Sequence, residues 1–158
     1  SRHGFIQMAD GQIYGYGAVS QALGLTDSAL NDHLGKDKSF GSSKLGVIHS
    51  NRSSLISMKK HAKDFFSRVK VKEISCGEDF SIVLTQKNEL YVFGSNKYGN
   101  LGLSHEVDIR LPTRNDHPAF LGESGDSASA PVITHMSCGN HHSCIVLDHV
   151  DLFCFGNN

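Results

Sequence analysis

ISCGEDFSIVLTQKNELYVFGSNKYGNLGL, residues 74–103, is the stretch on which the fold turns. Shifted by 62 positions, its residues 75–94 lie without a gap on 137–156 of MSCGNHHSCIVLDHVDLFCFGNN, residues 136–158. Seven of those twenty positions are identical: Ser75/Ser137, Cys76/Cys138, Gly77/Gly139, Ser81/Ser143, Leu90/Leu152, Phe93/Phe155 and Gly94/Gly156. Ordinary composition gives roughly one such identity by chance. Val83/Ile145, Leu84/Val146, Glu89/Asp151 and Tyr91/Phe153 exchange within type. A weaker third copy is HGFIQMADGQIYGYGAVSQALGL, residues 3–25. A chain that repeats itself in this way is an array of supersecondary units, and such arrays are usually binding scaffolds rather than enzymes.

The middle copy predicts what each unit builds. Val69-Lys70-Val71 alternates as a strand does, and Ile74-Ser75-Cys76 resumes the alternation out of phase, which predicts a bulge or a bend between them. Gly77-Glu78-Asp79 reads as a turn. Residues 81–85 are short and rich in β-branched side chains, hence a strand. Gln86-Lys87-Asn88-Glu89 is a polar hairpin loop, and Asp10-Gly11 at the matching place in the first copy is a stronger turn signal. Leu90-Tyr91-Val92-Phe93 is apolar on both faces, as a central strand covered from both sides would be. Such a sheet cannot bury both faces alone, so it must stack on its neighbours, which is the logic of a β-propeller.

Composition bounds the rest. The chain has 158 residues, 39% hydrophobic and 20% charged, enough for one ordinary domain. No apolar run approaches the roughly 18 residues that span a bilayer, and SRHGFIQMADGQ carries no signal-peptide pattern. The four cysteines include Cys76 and Cys138 at one repeated position, with Cys144 and Cys154 inside apolar strands. This pattern is read as free thiols of a nuclear or cytoplasmic protein rather than a disulfide framework. Net charge is −1, yet residues 36–72 hold ten Lys and Arg against two acids, a local +8.

Ser-Cys-Gly, the downstream His-Ser pair, and Leu-Tyr-x-aromatic-Gly-x-Asn-x-x-Gly-x-Leu-Gly together resemble the repeat of the regulator of chromosome condensation family. Gly94-Ser95-Asn96-Lys97-Tyr98-Gly99-Asn100-Leu101-Gly102 matches the signature at every fixed position, and Gly139-Asn140-His141-His142-Ser143 matches the Gly-x-x-His-Ser segment. The resemblance covers about half the chain. It implies an all-β fold, antiparallel blades of a seven-bladed propeller, of which this chain holds about two and a half repeats. It makes Cys76, Gly77, Ser81, Gly94, Asn96, Gly99, Leu101, Gly102, Cys138, Gly139, His142, Ser143 and Gly156 structural positions of the repeat. Two to three blades cannot close a ring that needs at least about four, so the repeats are expected to belong to a longer propeller or, alternatively, to a ring of several copies.

There are departures. Phe80 stands where the family has His, Gly4 replaces Ser, and Val19 stands where the signature Asn belongs. The usual Trp before the signature Gly is Tyr16, Phe93 or Phe155, and the chain has no Trp, which excludes a role like that of the family's plant ultraviolet-B photoreceptor. The repeat spacing also exceeds the roughly 40–50 residues common in propellers. The chain therefore divides into a partial first repeat (1–25), a basic insertion (26–68), a second repeat (69–103), a polar insertion (104–130) and a truncated third repeat (131–158).

Candidate chemistry is thin. Cys138, His141, His142 and Cys144 lie close in sequence, but the repeat itself accounts for Cys138 and His142, and no second Cys/His pair has zinc-ligand spacing. Downstream of Gly11, Gly15 and Gly17 flank Tyr16 at a strand end with no third phosphate-loop glycine after them and no following helix start, and Gly35-Lys36 is followed by Asp37 rather than Ser or Thr. No Gly-x-Ser-x-Gly elbow occurs. No catalytic residue, metal, cofactor or small-molecule substrate is expected. In residues 54–66, Leu55, Met58, Ala62, Phe65 and Phe66 recur at helical spacing with lysines opposite, predicting a short amphipathic helix on the flank. Its basic face, with Lys59, Lys60, Lys63 and Arg68, is the candidate docking surface for an acidic partner such as chromatin, RNA or an acidic protein.

The function expected is a non-enzymatic protein-interaction propeller. The resemblance implies guanine-nucleotide exchange on a Ran-type small GTPase with chromatin on the opposite face, by binding the nucleotide-free GTPase. The alternatives are a recognition domain within a larger ubiquitin ligase, kinase or ciliary protein, and a structural subunit of a large assembly.

Overall fold

The computed structural model describes residues 3–17, 21–24, 56–57, 65–66, 68–121 and 130–157. Three antiparallel sheets follow one another along them. The first contains β1 (His3–Gln7), β2 (Ile13–Gly17) and β3 (Ile56–Ser57), in that order. The second is β4 (Val71–Cys76), β5 (Phe80–Thr85), β6 (Leu90–Gly94) and β7 (Ile109–Arg114), and the third β8 (Ile133–Cys138), β9 (His142–Leu147) and β10 (Asp151–Gly156). Single 3-10 turns occur at Gln21–Leu23 and Pro118–Phe120.

The repeat positions occupy the same places in each sheet. The phase slip read before Ile74 is a register shift between Val71 and Glu73, and its counterpart falls between Ile133 and His135. An extra residue here tilts the strand's side chains onto the other face, which strengthens the local twist. The hairpins close as the turn chemistry requires. Gly11 at φ 80° donates its amide to Met8 O at 2.8 Å, and Asn88 takes φ 63° in the loop between β5 and β6. The ring of Phe80 lies over Gly77 as that of His142 lies over Gly139, so the Phe-for-His exchange keeps the same seat.

Both faces of β5 and β6 are covered. Ile82, Leu84, Leu90 and Val92 pack with Ile133, Met136, Ile145 and Leu147 of the third sheet. Val83 and Phe93 turn the other way, onto Ile13, Leu23 and Phe66. Each such side chain contributes about 1.5–3 kcal/mol when buried, and the gain is realised only between sheets. The sheets therefore stack as blades.

A second set of ties crosses each sheet boundary. Ser81 Oγ donates to Ala22 O at 2.6 Å, and Ser143 Oγ donates to Asn100 O at 2.8 Å. Ala22 and Asn100 are equivalent, each preceding a Leu-Gly pair whose leucine, Leu23 or Leu101, is fully buried. At Gly102 (φ 65°) a Cβ would stand 3.0 Å from the Phe155 ring of the next repeat. On the opposite edge, the Asn88 side chain donates to Pro131 O and accepts from Ile133 N, both at 2.8 Å. Each signature loop thus belongs to one repeat by sequence and is clasped by the next.

Two expectations are corrected. The helix read over residues 54–66 falls mostly outside the described residues, but Ile56–Ser57 is a strand pairing with β2, and Phe65-Phe66 sits in a turn. The edge of β2 offers unpaired backbone groups that pairing satisfies, and this outweighs a short helical pattern. The reading of four free thiols is also overturned, because Cys144 and Cys154 form a disulfide. They are direct partners across β9 and β10, with Cα atoms 4.2 Å apart. Cys76 and Cys138 are free.

Candidate functional site

The signature loop after β6 is held from within. Asn96 Oδ1 accepts from Leu101 N at 2.9 Å while its Nδ2 donates to His105 O at 2.6 Å. Asn100 Nδ2 donates to Ser95 O at 2.7 Å, and Asn115 Nδ2 donates to Leu101 O at 2.9 Å. All three asparagines are buried, so each amide replaces water for a loop that has no ladder to join. The loop is anchored to its own blade by Ser95 N donating to Asp79 O at 2.8 Å, a bond repeated as Asn157 N to His141 O at 2.9 Å.

This anchoring brings three segments to one edge of the stack. The turn at 77–79 meets the turn at 139–141 through Glu78 N donating to Asn140 O at 3.0 Å, and through His141 Nε2 at 3.2 Å from Glu78 Oε2. Tyr98 from the signature loop lies with its ring centroid 5.0 Å from that of His141, and Lys97 Nζ is 5.3 Å from the Tyr98 ring. They border a groove of about 180 Å³ that Asp79 and Asn140 also line. Charged, aromatic and amide groups are therefore presented together, on loops fixed from below. Sequence reading identified the turn at 77–79 and weighed His141 as a metal ligand, but did not join them. The legible signal was the pair of positions between Gly and His that the repeat leaves unconstrained.

The positions named from sequence divide into two groups. Cys76, Gly77, Ser81, Gly94, Asn96, Gly99, Leu101, Gly102, Cys138, Gly139, His142, Ser143 and Gly156 lie in the turns, strands and loops just described. Lys59, Lys60 and Lys63 lie outside the described residues, while Arg68 is exposed after the Phe65-Phe66 turn. Among the described residues no group of three or more His, Cys, Asp and Glu side chains is arranged to hold a metal. Cys138 Sγ lies 3.7 Å from Ser143 Oγ and Cys76 Sγ 4.0 Å from Ser81 Oγ, and burial pushes both thiols up from their ordinary value.

His3 was not read from sequence. Ser81 spends its hydrogen on Ala22 O, so His3 Nε2–H donates to Ser81 Oγ at 2.7 Å, and His3 Nδ1 is buried without a partner. Burial holds the His3 imidazolium below its ordinary 6.5, against smaller raising effects from Glu78, Asp79 and Phe80. The unfolded chain then binds a proton that the folded chain refuses, so stability falls as pH drops from about 6.5 toward the lower folded value. Thermal denaturation between pH 7.5 and 5 is expected to show a smaller loss for His3→Gln than for the unsubstituted chain.

Comparison with known proteins agrees with this geometry. Models of the regulator of chromosome condensation (RCC1) repeat match residues 87–146 and 71–100. The protein RCC2 homolog of Xenopus laevis is 24% identical over 169 residues, covering 96% of this chain and 31% of its own length. Mouse serine/threonine-protein kinase Nek9 is 41% identical over 58 residues, 37% of this chain and 6% of the kinase. The structure of Prp20p from Saccharomyces cerevisiae superposes with a TM-score of 0.62 at 16% identity, over 99% of this chain and 31% of Prp20p. The chain thus spans about a third or less of the length of each of these proteins. With the three blades, the inter-repeat serine bonds and the signature loop, these matches lead to one conclusion: residues 71–146 carry the regulator of chromosome condensation repeat, and the sheets have the fold of β-propeller blades.

Proposed function

We propose that the chain is part of a non-enzymatic protein-interaction propeller that binds a protein partner through the edge carrying Glu78, Lys97, Tyr98, Asn140 and His141. The observation that carries this reading is the convergence of two turns and the signature loop on that edge. It sets an aromatic ring beside charged groups on a rigid base, and tyrosine is among the residues that most often anchor protein interfaces. The double substitution Tyr98→Ala/His141→Ala is expected to weaken partner binding at least about tenfold, since hot-spot truncations commonly exceed 1 kcal/mol. Its melting temperature should stay unchanged. Pull-down followed by titration calorimetry measures the first quantity and thermal denaturation the second, and undiminished binding overturns the assignment.

The partner we favour is a small GTPase, with guanine-nucleotide exchange as the activity. Support comes from the family and from Prp20p, whose binding to Gsp1p and to histones has been studied. Release of fluorescent GDP from Ran and a panel of other small GTPases tests it on the full natural chain. Acceleration by several orders of magnitude on one GTPase establishes exchange. No acceleration on any leaves a recognition scaffold, the second reading. That reading is favoured by the match to only 6% of the length of the serine/threonine-protein kinase Nek9. An acidic partner for the insertion is proposed on the +8 charge of residues 36–72. Reversal of Lys59, Lys60 and Lys63 to Glu should abolish low-salt binding to DNA, RNA or an acidic protein, and unchanged binding sinks the idea. Histone binding by Prp20p favours the nucleus over the cytoplasm, which imaging of the tagged full chain would test.

A further inference from the structure

Two junctions between sheets share the same ties and differ at one ionisable position. His3 and Phe80 hold the same place, each pairing across its hairpin with the glycine that ends the following strand, Gly17 or Gly94. Both are sealed, at 2% exposure. Where the second sheet meets the first, Ser81 Oγ donates to Ala22 O, and where the third meets the second, Ser143 Oγ donates to Asn100 O. Val83 and Ile145, equivalent under the shift of 62, are fully buried in the clusters that join each sheet to the one before it. Only the first junction has a histidine beside its serine. In the second, the same place is taken by Phe80, packed in the cluster shared with the third sheet.

The His3 imidazole is seated for its neutral form. Its Nε2–H donates to Ser81 Oγ at 2.7 Å, and Nδ1 is buried with no hydrogen-bond partner. A proton on Nδ1 makes a buried cation. Facing it are the Ser81 hydroxyl of β5 with the Cys76 thiol of β4 behind it, Phe5 of β1, and Glu78, Asp79 and Phe80 of the turn between β4 and β5. Burial outweighs the backbone of Glu78 and Phe80 and the charge of Asp79, which favour the cation, and pushes the imidazole below its ordinary 6.5. Parting the two sheets hydrates Nδ1 and restores that ordinary value, so protons favour the parted form. Phe80 has nothing to protonate. The titratable pair across the second junction, His141 and Glu78 at 3.2 Å, is drawn together rather than apart when the imidazole takes a proton.

We propose that the junction between the first and second sheets is a proton-labile seam, which His3 loosens below neutral pH while the junction closed by Phe80 stays shut. The face released is that of Val83 and Phe93, which otherwise pack on Ile13, Leu23 and Phe66. Acid then separates the array at one chosen joint instead of melting it evenly, and the second and third sheets remain a unit.

A thiol placed in each seam reports its opening. Val83→Cys and Ile145→Cys are made separately in the full chain. Each is pulsed at pH 7.5 and 5.5 with a dipyridyl disulfide, which labels thiols in mildly acidic solution, and the new cysteine is quantified by peptide mass spectrometry. Each rate is divided by that of the urea-unfolded chain at the same pH, which removes the thiol's own titration. Relative labelling at position 83 is expected to rise about three- to tenfold at the lower pH, tenfold being the limit for one group that titrates near 6.5 once released. At position 145 it should change less than about twofold. His3→Phe, the residue the second sheet uses at this place, should abolish the rise at 83, and Phe80→His should create one at 145. No rise at 83, equal rises at both positions, a rise that survives His3→Phe, or a folded Phe80→His variant with 145 still protected each overturn the proposal. Should the variants at 80 or 145 fail to fold, His3→Phe in the Val83→Cys chain against its parent decides alone.

Discussion

Gly94→Ala is expected to lower the unfolding free energy of the chain by about 3–5 kcal/mol, combining backbone strain with overpacking. Gly94 closes β6 at φ 108°, a conformation that side-chain-bearing residues rarely adopt. A Cβ there would run into the carbonyl oxygen of Asp79 and the Cα of Phe80, both backbone atoms of the neighbouring strand and turn. Neither can yield without breaking the Ser95–Asp79 bond that anchors the signature loop. Gly99 is the control. It also has positive φ, 66°, but nothing stands within 4 Å of its would-be Cβ. Gly99→Ala should cost only about 1–2 kcal/mol, the left-handed penalty alone. Urea denaturation of the two variants measures the gap, and equal losses would show that close approach is not what Gly94 provides.

Leu101→Ala should cost about 2–5 kcal/mol, the range for truncating a fully buried leucine. Leu101 is 0% exposed and is contributed by a loop of the second repeat to the core shared with the third sheet. Its loss leaves a void in the cluster that also holds Phe80, Val92 and Ile145, with Phe155 packed against it. Leu111→Ala is the matched comparison: the same chemistry at 51% exposure should move stability by no more than about 0.5 kcal/mol. Denaturation midpoints in urea test both, and a loss at Leu111 as large as that at Leu101 would show that burial between the sheets is not what Leu101 provides.

Most of the second blade was legible because two independent patterns agreed there. Alternation placed β5 and β6, apolar character on both faces placed β6 in the centre, and the phase slip before Ile74 located the register shift. Ile56–Ser57 was misread because five apolar residues in thirteen fit a helical spacing by themselves, while the strand depends on the unpaired edge of β2, about forty residues away. The disulfide was misread for another reason. The repeat makes Cys76 and Cys138 the conspicuous pair, and these are free. Cys144 and Cys154 each lie five residues from His149, at the hairpin's tip, where φ is positive at both Asp148 and His149. A hairpin centred there sets them opposite one another. At the loop edge, Tyr98 and His141 could be assigned to their loops but not to each other, because their proximity is a product of blade stacking.

The clasp of each signature loop by the following blade separates two boundaries that are commonly taken as one. By sequence the second repeat runs through Leu103, yet Leu101 shares a core cluster with the third sheet and Asn100 O is the acceptor of Ser143. A chimera spliced just before β8 would carry the loop away from the strands that hold it. A junction at residue 95, just after Gly94, would transfer loop and blade together. The portable module for grafting or circular permutation is therefore offset from the sequence repeat by the length of one loop. Duplications that grow such an array in frame with its contacts should break within the strand-to-loop step rather than between the sheets.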